Sequence, residues 1–194
     1  QDNSDLYAFD GLSKFDIIQP GDLIHCDFGI SYLTLNTDTQ ELGYILKPGE
    51  TKAPEYLINA LKEGNRVQDI FTNNFVVGVS GNEILKKSLE EGRDEGLRPS
   101  IYTHPLGTYG HSAGTTIGMW DSQGGVPFTG DYPLQYNTAY AIELNTTVYI
   151  EEWKKDIRIM LEVPGFFGKD GFRYIKGRQT EYILIGPNQE GLTY

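Results

Sequence analysis

Apolar and polar positions alternate from Asp22 to Ile30 and predict a strand, with Leu23, His25, Asp27 and Gly29 on one face and Ile24, Cys26, Phe28 and Ile30 on the other. The second face reads as core. Gln19-Pro20-Gly21-Asp22 is a turn leading in. If the chain doubles back around Tyr32 and Leu33, Asp27 lies opposite Asp38, both carboxylates project from one face, and their Cβ atoms stand about 5 Å apart. Ser31-Tyr32-Leu33 lacks the Gly or Asn of a tight hairpin, so a longer loop is the alternative. The apolar pattern continues through Leu42 to Leu46, and Lys47-Pro48-Gly49-Glu50 closes it.

Helical spacing follows. Leu57, Leu61, Gly64, Val67 and Phe71 form one face of a helix over about Ala53 to Asn73. Ser80-Gly81-Asn82-Glu83 is a capping box for a second helix running to about Glu95, with Ile84, Leu85, Ser88 and Leu89 inward. A Gly/Pro/Thr-rich segment from Leu97 to Tyr136 reads as irregular and holds His104, His111 and Trp120; loops this long usually serve a function. Strand signals return at Thr138 to Tyr149, where Glu143 shares a face with Ala139, Ala141, Asn145 and Thr147, and again at Ile157 to Val163, Phe172 to Ile175 and Gln179 to Ile185. Residues 1–20 read as an irregular lead-in, and 21–194 as one domain.

Charge narrows the partners. Sixteen basic against 27 acidic residues give a net charge of −11, which disfavours nucleic acid and anionic membranes. No run approaches the ~18 apolar residues of a membrane span. The opening QDNSDLYAFDG has neither the basic start nor the apolar stretch of a signal peptide, a pattern that a processed chain would share. The lone Cys26 excludes an intrachain disulfide framework and reads as a packed thiol.

A single acid in a strand usually faces solvent. Here Asp27, Asp38, Glu143 and Glu181 each sit among apolar or small residues on a strand that reads as central, and two histidines accompany them. That recurrence suggests a hard-cation site with one imidazole.

Taken together, the segments resemble the pita-bread metallopeptidases, the group of methionine aminopeptidase, aminopeptidase P and prolidase. GDLIHCDFG followed by Asp38 is similar to their paired-aspartate signature, and THPLGTYGH to their histidine segment. Tyr140-Ala141-Ile142-Glu143-Leu144 resembles the strand with the first glutamate, and Gln179 to Ile185 the strand with the second; the ending from Gly186 is also similar. Five segments in the right order are far more specific than one.

The resemblance implies an α+β pita-bread fold, a curved and mostly antiparallel sheet with helices on one face. It implies two divalent metals (manganese favoured, or cobalt, iron or zinc) on Asp27, Asp38, His104, Glu143 and Glu181, with Glu162 the rival for the last position. Glu143 would carry the proton and His111 would bond the substrate. The implied activity is removal of an N-terminal residue, from Xaa-Pro peptides by preference, through attack of a metal-bridging hydroxide. A peptide substrate, a homodimer and a further N-terminal segment or domain outside this chain belong to the same expectation. Some features depart from the family. Ser112 and Ala113 follow His111 where many members carry an acid, and residues 1–24 lack the usual upstream histidine. The alternative is a pita-bread domain kept as a binding module or a metal-free hydrolase of the creatinase kind.

Overall fold

The computed structural model describes residues 18–186. Most of the expected lead-in over 1–20, and the ending after Gly186, lie outside the described residues. The first unit is a long hairpin of β1 (Leu23–Phe28), β2 (Ser31–Tyr32), β3 (Leu35–Asn36) and β4 (Thr39–Ile45). Asp27 pairs with Gln40 and Phe28 with Thr39, and the same offset holds at the tip, where Tyr32 pairs with Leu35. The turn is therefore Leu33–Thr34, both at positive φ (46° and 71°), the mirror-image geometry that suits the twist of paired strands.

The expected pairing of Asp27 with Asp38 is thus displaced by two residues, and Asp38 falls opposite Gly29. Side chains alternate with a period of two, so the displacement leaves both aspartates on one side of the hairpin. Gly29 is required there, because a Cβ would stand 2.4 Å from the Thr37 carbonyl oxygen.

The buried face of the hairpin is the opposite of the expected one. Leu42 and Tyr44 are buried, and their partners His25 and Leu23 share their side. Ile24, Cys26 and Phe28 therefore turn outward, and Cys26 is exposed rather than packed.

Helix α1 (Glu55–Asn73) buries Leu57, Ala60, Leu61, Gly64, Val67 and Phe71, as its spacing predicts. Ser80 caps α2 (Gly81–Asp94), its hydroxyl accepting from the Glu83 amide while the Glu83 carboxylate accepts from the Ser80 amide. The segment from Leu97 to Tyr136 is less irregular than expected, since it contains β5 (Pro99–Ile101) and β6 (His104–Pro105). The stretch read as one strand from Thr138 divides into β7 (Thr138–Ala141) and β8 (Leu144–Ile150). Then come β9 (Lys155–Leu161), β10 (Pro164–Gly168), β11 (Gly171–Tyr174) and β12 (Ile183–Ile185).

Three sheets result beside the small tip pair: β1-β4-β12, β11-β10-β7-β6 and β5-β8-β9. All described pairings are antiparallel except β12 with β4. The helices lie against β5, β8 and β9, and a bridge between Gln40 and Glu162 joins the first hairpin to this region.

Gly64 sets how closely α1 can lie on that sheet. A Cβ there would meet Ile159 Cγ2 at 2.8 Å and Leu161 Cδ1 at 2.9 Å. We expect Gly64→Val to overpack this contact and cost about 1–3 kcal/mol, read as a lower midpoint in urea unfolding with an unchanged slope.

Candidate metal centre

One crease, where both strands of a long hairpin pass between sheets, carries the glutamates. Leu144 pairs with Leu161, and Ala141 with Pro164, so a single register runs across the break and sets Glu143 opposite Glu162. Each lies where the chain leaves one sheet for the next. His104, on β6, pairs with Ala141 beside this crease, and the backbone amide of Gln40 donates to the Glu162 carbonyl at 3.0 Å, bringing the aspartate hairpin alongside.

These contacts build a graded well. Glu162 and His104 form the floor with side chains 2% and 4% exposed, Asp38 and Glu143 the walls at 21% and 23%, and His111 the rim at 61%. From His104 Nε2, the nearest oxygens of Glu162, Asp38 and Glu143 lie at 3.6, 3.8 and 3.8 Å. His104 Nδ1 lies 3.3 Å from the Pro105 carbonyl, which can only accept. In the neutral ring that bond leaves Nε2 with its lone pair turned toward the acids.

Two combinations of donor atoms lie within 4.8 Å of one another and share one residue: His104, Glu143 and Glu162, and Asp27, Asp38 and Glu162. A third joins Asp38, His104 and His111. Glu162, not Glu181, is the carboxylate that meets the other three. Glu181 is exposed, because its neighbour Tyr182 turns into the core and donates its hydroxyl to the Leu57 carbonyl. The predicted strand over Gln179 to Ile185 is also shorter than expected. The Gln179 side-chain amide bonds both the NH and CO of Leu42, taking the place of backbone pairing beside β4.

Divalent cations fit this donor set. Buried polar atoms normally have partners, yet His104 Nε2 and Glu162 Oε1 are both buried without a hydrogen bond. Their lone pairs face oxygen donors, the environment that hard and borderline cations prefer. Without a cation, burial and then the charge of Glu162 push the Glu143 carboxyl up to about 9, and burial raises Glu162 as well. Asp27 is raised by burial and by Asp38. Burial and the neighbouring His104 hold His111 below the ordinary histidine range.

Side chains not anticipated from the sequence complete the surroundings. Gln40 donates to Glu143 Oε1 and Glu162 Oε2, both at 3.1 Å, and accepts from His25 Nε2 at 2.9 Å. The Tyr102 hydroxyl lies 3.4 Å from His111 Nδ1, and the two histidine rings are 4.0 Å apart. Asn36, at the hairpin tip, donates from its backbone and side chain to Gly107 and from its side chain to Thr108, tying the His111 loop to the aspartate hairpin. Ser112, where an acid was expected by resemblance, closes this loop by donating to the Tyr109 and Pro105 carbonyls. A separate cleft of about 810 Å³ touches Gln40 and Glu162 but none of Asp27, Asp38, His104 or His111; it lies behind the well.

A proton held on Glu143 links this well to stability. In the unfolded chain the group ionises near its ordinary 4.5, whereas in the cation-free fold it does so at about 9. Between those values the folded chain keeps a proton that the unfolded chain releases, so this contribution is complete at the acid end and disappears as pH rises to the upper value. Chelator-treated protein should lose thermal stability from about pH 5 to about pH 9, and Glu143→Gln should flatten that slope; equal slopes in differential scanning fluorimetry would contradict the assignment.

No family model and no curated protein sequence matches this chain. Solved structures do. The X-Pro aminopeptidase of Thermotoga maritima superposes with a TM-score of 0.63 at 21% identity, over 87% of this chain and 43% of that one. The prolidase of Thermococcus sibiricus gives 0.62 at 15%, over 87% and 41%. The methionine aminopeptidase of Rickettsia prowazekii gives 0.59 at 14%, over 81% and 65%. The chain thus spans less than half the length of the first two. With its α+β architecture, its mostly antiparallel sheets and these superpositions, the chain has the pita-bread fold of the metallopeptidases.

Proposed function

We propose that this chain is the catalytic portion of a two-metal peptidase that removes the N-terminal residue from peptides, with Xaa-Pro sequences as the preferred substrates. The observation that carries the reading is the pair of donor triads that share Glu162 over a buried, unpaired His104 Nε2. His104 and Glu143 would hold one ion, Asp27 the other, and Asp38 and Glu162 would lie between them. Four carboxylates bring a charge of −4 when ionised, which two divalent ions offset; unpaired carboxylates this close could not all stay charged. When bound, such ions supply an acidified water and polarise a substrate carbonyl.

The remaining chemistry falls to the side chains on the wall and rim. Glu143 has one oxygen anchored by Gln40 and the other facing the well, so it can take a proton and return it to the departing amine. His111 at the rim is held neutral, and its Nε2 lies 3.8 Å from Asp38. It is suited to donate a hydrogen bond to the substrate oxygen that gains charge. The preference for Xaa-Pro substrates is supported by the similarity to an X-Pro aminopeptidase and a prolidase.

Hydrolysis of Xaa-Pro peptides with added manganese tests this reading. Glu143→Gln should lower kcat by about 10²-fold or more. Glu162→Ala should lose bound metal, measured by plasma emission, while Glu181→Ala keeps it. Absence of turnover in a chain shown to hold two ions would leave a binding module as the better reading. Metal loss on substitution of Glu181 rather than Glu162 would refute the ligand set.

A further inference from the structure

The well depends on a neutral side chain beneath it. Gln40 is 5% exposed and lies on β4, where its backbone bridges to Glu162. Its amide nitrogen has two hydrogens, and both are committed, one to Glu143 Oε1 and one to Glu162 Oε2. Its amide oxygen can only accept, so His25 Nε2 is the donor across their 2.9 Å contact. Rotating the amide by half a turn would point its oxygen at two carboxylate oxygens in place of its NH2, so the glutamate end opposes the flipped orientation and sets His25 Nε2 as the donor at the other end.

The choice of oxygens is what matters. Gln40 occupies one oxygen of each glutamate, and the two left over are Glu143 Oε2 and Glu162 Oε1, the atoms 3.8 and 3.6 Å from His104 Nε2. Glu162 Oε1 and His104 Nε2 are also the buried atoms of this cluster that lack a hydrogen bond. A lysine or arginine in the place of Gln40 would steady the carboxylates equally well but would repel an incoming cation. An amide orients them without contributing charge.

We propose that Gln40, locked by His25, is a positioning residue that selects which oxygen each glutamate presents, so that the site is arranged for cations before they arrive. The inference rests on the metal-centre reading for its consequence, cation affinity, and on the metal-free chain for its geometry. Loss of such an outer partner typically weakens metal affinity about 10- to 100-fold while leaving the ligands in place.

Manganese titration calorimetry on the full chain, with Gln40→Leu, His25→Leu and His25→Gln, tests it. Gln40→Leu should bind the same number of ions about 10- to 100-fold more weakly. His25→Leu should weaken binding less, and His25→Gln, which keeps a donor, should restore it. Apo-protein melting is recorded alongside, and His25→Leu provides a second arm should Gln40→Leu fold poorly. Unchanged affinity in a folded Gln40→Leu or His25→Leu chain would overturn the inference. In metal-free protein, NMR should find the Gln40 side-chain amide protons protected from exchange relative to those of the exposed Gln135, with protection reduced by His25→Leu. If the wild-type chain binds no manganese, the metal-centre reading falls. The inference is then decided by the amide alone: fast exchange, equal to that of Gln135, refutes it, and protection lost on His25→Leu sustains it.

Discussion

Four carboxylates share one well, and among the described residues no lysine or arginine forms an ion pair with any of them. That like-charge constraint governs the rest of the site. Burial and mutual repulsion keep the cation-free cluster from ionising fully, which is why Glu143, Glu162 and Asp27 all hold their protons to higher pH than usual. The fold tolerates this because the floor is bonded by neutral groups, the Gln40 amide and the backbone around Glu162. A cluster built this way is left with electrostatic stabilisation still to gain, and a divalent ion is a species that would supply it.

Two hairpins achieve the convergence by the same geometric rule. In the first, the register places Asp27 and Asp38 two positions apart diagonally on one face. In the second, the register carried across the crease places Glu143 directly against Glu162. The crease turns those two side chains out of the regular ladder, where a continuous sheet would have alternated them with their neighbours. His104 enters from a third strand that pairs at the same crease, so that Asp27, His104 and Glu162 are set by backbone pairing, while Asp38 and Glu143 each lie within two residues of a paired strand.

Much of this was legible in the sequence, and the failures share a cause. The helices were readable because capping and a 3.6-residue period are local signals, as with Ser80, Glu83 and the buried stripe of α1. The same-face placement of Asp27 and Asp38 survived a two-residue error in the turn because strand faces repeat every two residues. The outward turn of Cys26 is not legible because alternation within β1 marks the face of Ile24, Cys26 and Phe28 as core, whereas the buried face is set by the partner strand, whose Leu42 and Tyr44 lie opposite His25 and Leu23. Glu162, the rival for the last position, gains weight in the sequence once Glu151-Glu152-Trp153-Lys154 is treated as a hairpin turn: folding the chain there sets Glu143 against Glu162. The resemblance favours Glu181 on a motif, and what turns its side chain away from the well is long-range, the insertion of Tyr182 beneath α1. Gln40 carried no signal, since an amide becomes informative only when its partners are known.

The hairpin tip now has a role that its weak turn sequence did not suggest. Leu33 and Thr34 both adopt positive φ without glycine, at a cost of roughly 1–2 kcal/mol each. The adjacent Asn36 uses the position so obtained to hold the Gly107 and Thr108 carbonyls, and these begin the loop that ends at His111. Asp38, two residues beyond Asn36, and His111 are thereby fixed to the same short piece of backbone, with Asp38 Oδ2 3.8 Å from His111 Nε2. A strained turn that served only to reverse the chain would gain nothing from non-glycine residues in this conformation. Here it is followed by Asn36, whose bonds to Gly107 and Thr108 tie the loop of the exposed histidine to the same hairpin that carries the two aspartates.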